Sequence, residues 1–219
     1  MPGQPFSEAY ITQRLLEAGN SQPSVSRLWD FLTNEPRPAA VLIPLFMAPS
    51  PGEASDSWQV LLTRRTDTVA EHQGQVAFPG GRSDPADTTP EMTALREARE
   101  EIGLNPLQVR ILGRMNSLQT ITNYLVTPVV GVIPWPFSVR LEETEVSRVF
   151  SIPLDWLADP DNREIRYRLI SGLITRLIPG NRFPVIYFKT YQDELLWGVS
   201  AEITVRLVEI LYDKKMAGD

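Results

Sequence analysis

The stretch Phe78 to Leu104, FPGGRSDPADTTPEMTALREAREEIGL, decides how the rest of the chain is read. It is a loop followed by one acidic helix. Glycine adopts backbone angles other residues avoid, so Pro79-Gly80-Gly81 is expected to turn sharply, and Pro85 and Pro90 delay any helix. Threonine is a good N-cap and proline is tolerated in the first turn. Thr89-Pro90 therefore opens a helix over Pro90 to Ile102, which Gly103 ends. At about 100° per residue, Glu97, Glu100 and Glu101 fall within one arc, while Leu95, Ala98 and Ile102 point the other way. Three carboxylates on one exposed face repel one another unless a cation sits among them. All-oxygen ligands suit Mg²⁺ or Mn²⁺, and the plain alternative is a solvated acidic face.

Around this stretch the composition narrows the choices. The chain has 219 residues, 42% hydrophobic and 22% charged, enough for one domain with a sizeable core, or one domain with an extension. There are no cysteines, which excludes disulfides, thiolate metal sites and thiol catalysis. A single histidine argues against a zinc cluster. The formal net charge of −6 opposes a broad nucleic-acid surface. No apolar run reaches the ~20 residues that cross a bilayer, and MPGQPFSEAY lacks the regions of a signal peptide. The expectation is a cytoplasmic protein with no membrane or nucleic-acid partner; assembly as a homodimer stays open.

Upstream, Ser7 caps an expected helix from Glu8 to Ala18 with Ile11, Leu15 and Leu16 at helical spacing, and a second short helix is expected over Val25 to Leu32. The run Ala39 to Phe46 reads as a buried strand, APSPGEASD as a hairpin loop, Trp58 to Thr66 as the returning strand, and Gly74 to Phe78 as a short strand feeding the glycine pair. Downstream, VRILGRM and NYLVTPVVGVI flank the polar loop NSLQTIT in a β-meander. A strand over Val146 to Ile152 and a short helix opened by Pro153 follow. Strands are then expected over Glu164 to Leu169 and Phe183 to Thr190. Ser200 can cap a last helix whose Ile203, Leu207, Ile210 and Leu211 form a buried stripe. Helices interleaved with mixed strands predict an α/β fold, a sheet covered on both faces.

The run Arg96 to Leu104, REAREEIGL, with glycines upstream, resembles the Nudix box, G-x5-E-x7-R-E-U-x-E-E-x-G-U with U apolar. Arg96, Glu97, Ala98, Glu100, Glu101, Gly103 and Leu104 fill its second half without a gap. In the first half the acidic position falls on Asp87, one residue further from Arg96 than the pattern has it. That spacing, with Asp84-Pro85-Ala86-Asp87 after FPGG, is similar to the Nudix subgroup of coenzyme A pyrophosphatases. The subgroup's second signature, L-L-T-x-R-[SA]-x3-R-x3-G-x3-F-P-G-G, is matched at Leu61, Leu62, Thr63, Arg65, Gly74, Phe78, Pro79, Gly80 and Gly81; Thr66 departs mildly, and Ala70 stands where the signature has arginine.

The resemblance implies a Nudix-like α/β/α sandwich with a mixed sheet and a loop-helix box. Residues 36–213 would form the Nudix domain, 1–35 an N-terminal helical extension and 214–219 a tail. It implies Glu97, Glu100 and Glu101 as ligands of Mg²⁺ or Mn²⁺, and Arg96 as the residue orienting Glu100 through an i,i+4 pair. Glu145 is the candidate carboxylate from outside the box, serving as ligand or general base; Glu142 and Glu143 fit that role less well, and proton abstraction by Glu100 or Glu101 is equally conceivable. Arg65, His72, Gly80 and Gly81 are the candidate substrate-binding residues. Arg64 or Arg82 could stand in for the arginine missing at Ala70, while Trp135, Phe137 and Trp197 are better read as packing than as adenine platforms. The implied activity is metal-dependent hydrolysis of coenzyme A or its thioesters to 3′,5′-ADP and (acyl-)phosphopantetheine. Hydrolysis of another nucleoside diphosphate derivative, such as ADP-ribose or a dinucleotide, is the alternative, followed by a non-catalytic nucleotide-binding module.

Overall fold

A computed structural model describes residues 6–19, 35–50, 52, 55–66, 74–169 and 182–212. The helix expected over Val25 to Leu32, together with Ala70 and His72, lies outside these residues. Chain order gives α1 (Glu8–Gly19), β1 (Arg37–Pro49), β2 (Asp56–Arg65), β3 (Val76–Ala77), β4 (Gly80–Arg82), α2 (Pro90–Ile102), β5 (Arg110–Arg114), β6 (Leu118–Gln119), β7 (Tyr124–Val132), β8 (Val146–Pro153), α3 (Leu154–Ala158), β9 (Arg163–Leu169), β10 (Arg182–Phe188) and α4 (Val199–Tyr212).

Strand β1 is the spine of an eight-stranded mixed sheet. It pairs antiparallel with β2 and β4 and parallel with β7; β2 also carries β3 and β8, and β7 carries β5 and β6, all antiparallel. Successive side chains of a strand point to opposite faces, and β1 uses both. Ala40, Leu42 and Phe46 meet Ala94, Ala98 and Ile102 of α2 on one face. Ala39, Ile43 and Leu45 share the other face's core with residues of α1, α3 and α4. Helices therefore cover both faces, and the fold is the expected α/β/α sandwich with a mixed sheet. Strands β9 and β10 form a separate antiparallel ribbon.

The N-terminal helix belongs to this core. Ile11 and Leu15 are buried, whereas Leu16, expected on the same stripe, is 64% exposed, because the contact face of α1 is narrower than its apolar spacing. Arg14 Nε and Tyr10 Oη donate to the carbonyls of Ile210 and Leu211 at 2.7 and 2.9 Å, satisfying acceptors that the end of α4 leaves open. The Trp58 indole donates to the Phe6 carbonyl at 2.6 Å. Among the described residues no helix is long and apolar enough to cross a membrane.

Two local expectations are corrected. Gly80–Arg82 is not a sharp turn but an extended strand laid against Ala39–Val41. A Cβ on Gly80 would lie 2.5 Å from the Ala40 carbonyl oxygen, so glycine there permits close approach of two backbones. The polar loop NSLQTIT contains strand β6, which pairs with β7 through Leu118 and Gln119; backbone pairing, open to any residue type, outweighs its polarity.

Candidate functional site

Helix α2 forms where its caps dictate. Thr89 is extended and its side chain accepts from the Met92 N–H, while Gly103 ends the helix in the left-handed region at φ 71°. Ala94 and Ala98 bring the helix close to β1 and β4, so its acidic side stands beside the glycine pair. The three glutamates are not equally exposed, as a single open face would require. Glu100 is 55% and Glu97 16% exposed, and Glu101 only 4%. Glu101 lies one turn from both Glu97 and Ala98, between the acidic arc and the apolar one, and the approach of β4 covers it.

Gly81 makes that approach tolerable. A Cβ there would lie 2.6 Å from the Glu97 carboxyl carbon, so the carboxylate rests in a cradle that a side chain would fill. The Gly80 N–H bonds the Glu101 carboxylate, and Arg65, brought in by β2, faces it electrostatically. Burial, then the charges of Glu97 and Glu145, outweigh these two and push Glu101 up to about 8. Glu97 is raised too, chiefly by burial, with Arg96 opposing and Glu100 and Glu145 adding to the rise.

Arg96 ties the group together. Nη1 meets Glu97 at 2.8 Å and Glu100 at 3.0 Å. Nη2 donates to Asp87 at 2.9 Å and to the Arg82 carbonyl at 3.0 Å. Asp87 also accepts from the Asp84 N–H and the Thr93 hydroxyl, each at 3.0 Å. The guanidinium, followed by its own burial opposing, then the Asp84 and Thr93 bonds, leaves the Asp87 carboxyl below its usual range. Sequence reasoning noted Asp87 as the displaced acidic position and gave it no task; the signal was the displacement itself.

The loop Glu142–Glu145 closes the opposite side. The Glu142 N–H donates to the Glu101 carbonyl at 2.9 Å, the Arg140 N–H to that of Ile102 at 3.1 Å, and the Thr66 N–H to that of Glu145 at 3.0 Å. Glu97, Glu100, Glu101, Glu142 and Glu145 thereby line one cleft of about 350 Å³. Glu142 is the wall residue that the pattern ranked below Glu145, and the Thr144 hydroxyl holds its carboxylate at 2.8 Å.

In kind, this oxygen-only donor set with a buried, charge-opposed carboxylate fits a hard divalent cation. The arrangement is not a closed coordination sphere: among the described residues no three carboxylates gather around one point, and Arg96 draws Glu97 and Glu100 to itself. Arg64, a possible stand-in at the signature, points away, as strand alternation requires. Its Nη1 lies 3.5 Å from buried Glu194, which also meets Arg148 at 3.2 Å. Trp197 stacks on Tyr187 at 5.4 Å, and Trp135 on Phe46 at 4.1 Å with Phe137 edge-on to it.

A family profile described as NUDIX domain matches residues 36–173. A Photorhabdus laumondii protein described as "Uncharacterized Nudix hydrolase NudL" is 37% identical over 178 residues, 81% of this chain and 87% of that protein. One of the same description from Escherichia coli O6:H1 is 47% identical over 167 residues, 76% and 79% of the two chains. The crystal structure of a NUDIX hydrolase from Alicyclobacillus acidocaldarius superimposes with a TM-score of 0.48 at 19% identity, covering 86% of this chain and 100% of that one.

Proposed function

The chain belongs to the Nudix hydrolase family, pyrophosphatases that act on phosphoanhydride bonds of small nucleotide derivatives with a divalent metal, and from that premise we propose that it cleaves coenzyme A or its acyl thioesters to 3′,5′-ADP and (acyl-)phosphopantetheine. The observation that carries this reading is Arg65, whose Nε is buried without a hydrogen-bond partner and whose charge opposes that of Glu101. Arg65 comes from the signature strand and Glu101 from the box, so the segment that distinguishes the subgroup brings a cation within electrostatic reach of the buried carboxylate.

In this proposal Glu97, Glu100 and Glu101 hold Mg²⁺ or Mn²⁺, with Glu145 facing them across the cleft. A divalent ion held there would neutralise phosphoryl oxygens and lower the pKa of a bound water. The protein's own residues do the rest. Arg96, gripped by Asp87, fixes where Glu97 and Glu100 point. Arg65 and the Gly80 N–H offset negative charge at the buried end. An exposed carboxylate, Glu145 or Glu100, takes a proton from the attacking water as its oxygen bonds to one phosphorus. The anhydride P–O bond breaks and the departing phosphate leaves as a monoester. Gly80 and Gly81 serve the substrate through the carboxylates beside them, Gly80 by opposing charge on Glu101 and Gly81 by seating Glu97, and His72 is kept as a substrate contact.

The test is incubation with Mg²⁺ or Mn²⁺ and, separately, coenzyme A, ADP-ribose, a dinucleotide and a nucleoside triphosphate, with products identified by mass. Coenzyme A as the best substrate, yielding 3′,5′-ADP, is expected. Preference for ADP-ribose or a dinucleotide would replace the substrate assignment, a reading that the alanine at position 70 and the commitment of Arg64 to Glu194 favour. Absence of turnover on all four would favour a binding module.

A further inference from the structure

Beyond Glu100 the acidic cleft opens into a second, larger one of about 1030 Å³. Glu100 and Glu142 line both, so the two form one trough. The smaller part sits at the low end of the ~300–1,000 Å³ typical of ligand pockets, too little for a nucleotide with a long second arm. The larger part has a different character. Arg99, from the last turn of α2, and Arg140, from the loop after β7, stand on its walls with Phe137. Among the described residues neither guanidinium has an ion-pair partner, although many other arginines do: Arg96 with Asp87, Arg64 and Arg148 with Glu194, Arg110 with Glu8, Arg206 with Glu202.

The helix end brings the backbones of the two arginines close together. Gly103 leaves the helix in the left-handed region, and a Cβ on it would lie 2.9 Å from that of Arg140, so glycine lets the Arg140 segment close over the end of α2. The Arg140 N–H then bonds the Ile102 carbonyl. That fixes the base of one arginine beside the other while both heads stay exposed. Guanidiniums match the oxygens of a phosphate in a way ammonium groups do not, and two of them line this one wall.

We propose that Arg99 and Arg140 form a subsite for a phosphomonoester carried by the substrate at a distance from the scissile anhydride. This rests on the coenzyme A reading, in which the group is the 3′-phosphate of the adenosine. Phe137, whose ring packs edge-on to Trp135 as the sequence reading expected, also borders this cleft and leaves part of its ring open to the adjacent base.

The experiment compares the whole protein with the Arg99→Gln/Arg140→Gln variant, and with each single variant should the double one not fold. Calorimetry in EDTA measures binding of 3′,5′-ADP and of 5′-AMP; kcat/KM is measured on coenzyme A and dephospho-coenzyme A. The parent is expected to bind 3′,5′-ADP roughly tenfold or more tighter than AMP, the scale of a charge-assisted contact, and the substitutions to erase that gap. The coenzyme A preference over dephospho-coenzyme A should shrink by a similar factor. A parent without the gap, or a gap that survives the substitutions, overturns the subsite and leaves the arginines as neutralisers of the helix end. A gap that the substitutions remove in a protein that does not hydrolyse coenzyme A keeps the subsite and overturns the substrate assignment, so the two failures are distinguishable.

Discussion

Glu101 carries its carboxyl where burial and two neighbouring carboxylates oppose ionisation, so its protonation is tied to what else occupies the cleft. Unfolded, it releases its proton near 4.5; folded and metal-free, it does so near 8. Between these values the folded state binds more protons, so in EDTA stability should fall as pH rises from about 4.5 to about 8 and level off above. Glu101→Gln should flatten that decline, as chemical denaturation at several pH values would reveal; an unchanged slope would mean the carboxyl is solvated. With metal present the same substitution should lower kcat roughly tenfold or more while KM moves little, since the lost stabilisation is largest in the transition state. Asp87→Asn should cost about 10- to 100-fold in activity, the scale of an outer-sphere orienting residue, because Arg96 loses its buried anchor. Steady-state kinetics on both variants, with melting curves as control, would check this.

At the scale of the element, the adjoining glycines of β4 have separable duties. Gly80→Ala puts a methyl against the backbone of Ala40 and Val41, whereas Gly81→Ala puts it against the flexible end of Glu97. The first should lower the melting temperature by several degrees, through overpacking of about 1–3 kcal/mol. The second should leave melting near the parent's and cut kcat about tenfold to a hundredfold, through a displaced carboxylate. If both lose stability alike, the cradle is structural only. The bounds of α2 were legible because its signals, Thr89, Pro90 and Gly103, are local chemistry. The tilt of Glu101 toward the sheet was not, because it depends on how closely β4 approaches, and the same strand was misread as a turn from its glycines. Nor could sequence place β7 parallel to β1, a pairing such as Arg37 with Tyr124 between distant segments that local pattern does not encode. That Glu97, Glu100, Glu101 and Glu145 line one cleft agrees with the resemblance, whereas the part of Glu142 in the wall needed the loop's docking on the end of α2.

For the whole molecule, α1 braces the site's scaffold from the far face. We propose residues 36–213 as the catalytic domain and the 1–35 segment as its extension, with α1 closing the core over α4. Ile11 is fully buried, so Ile11→Ala should destabilise by about 2–5 kcal/mol with KM unchanged; loss of activity without loss of stability would assign α1 a role in binding. The central claim concerns the cleft at the other face, that its glutamates hold the divalent ion that the family's chemistry uses. The most direct measurement is binding of Mn²⁺ to the EDTA-stripped protein, followed by paramagnetic resonance, in the parent and in Glu101→Gln. The account predicts a site in the parent that weakens at least about tenfold in the variant; equal Mn²⁺ affinity in the two proteins, or none in the parent, would contradict it.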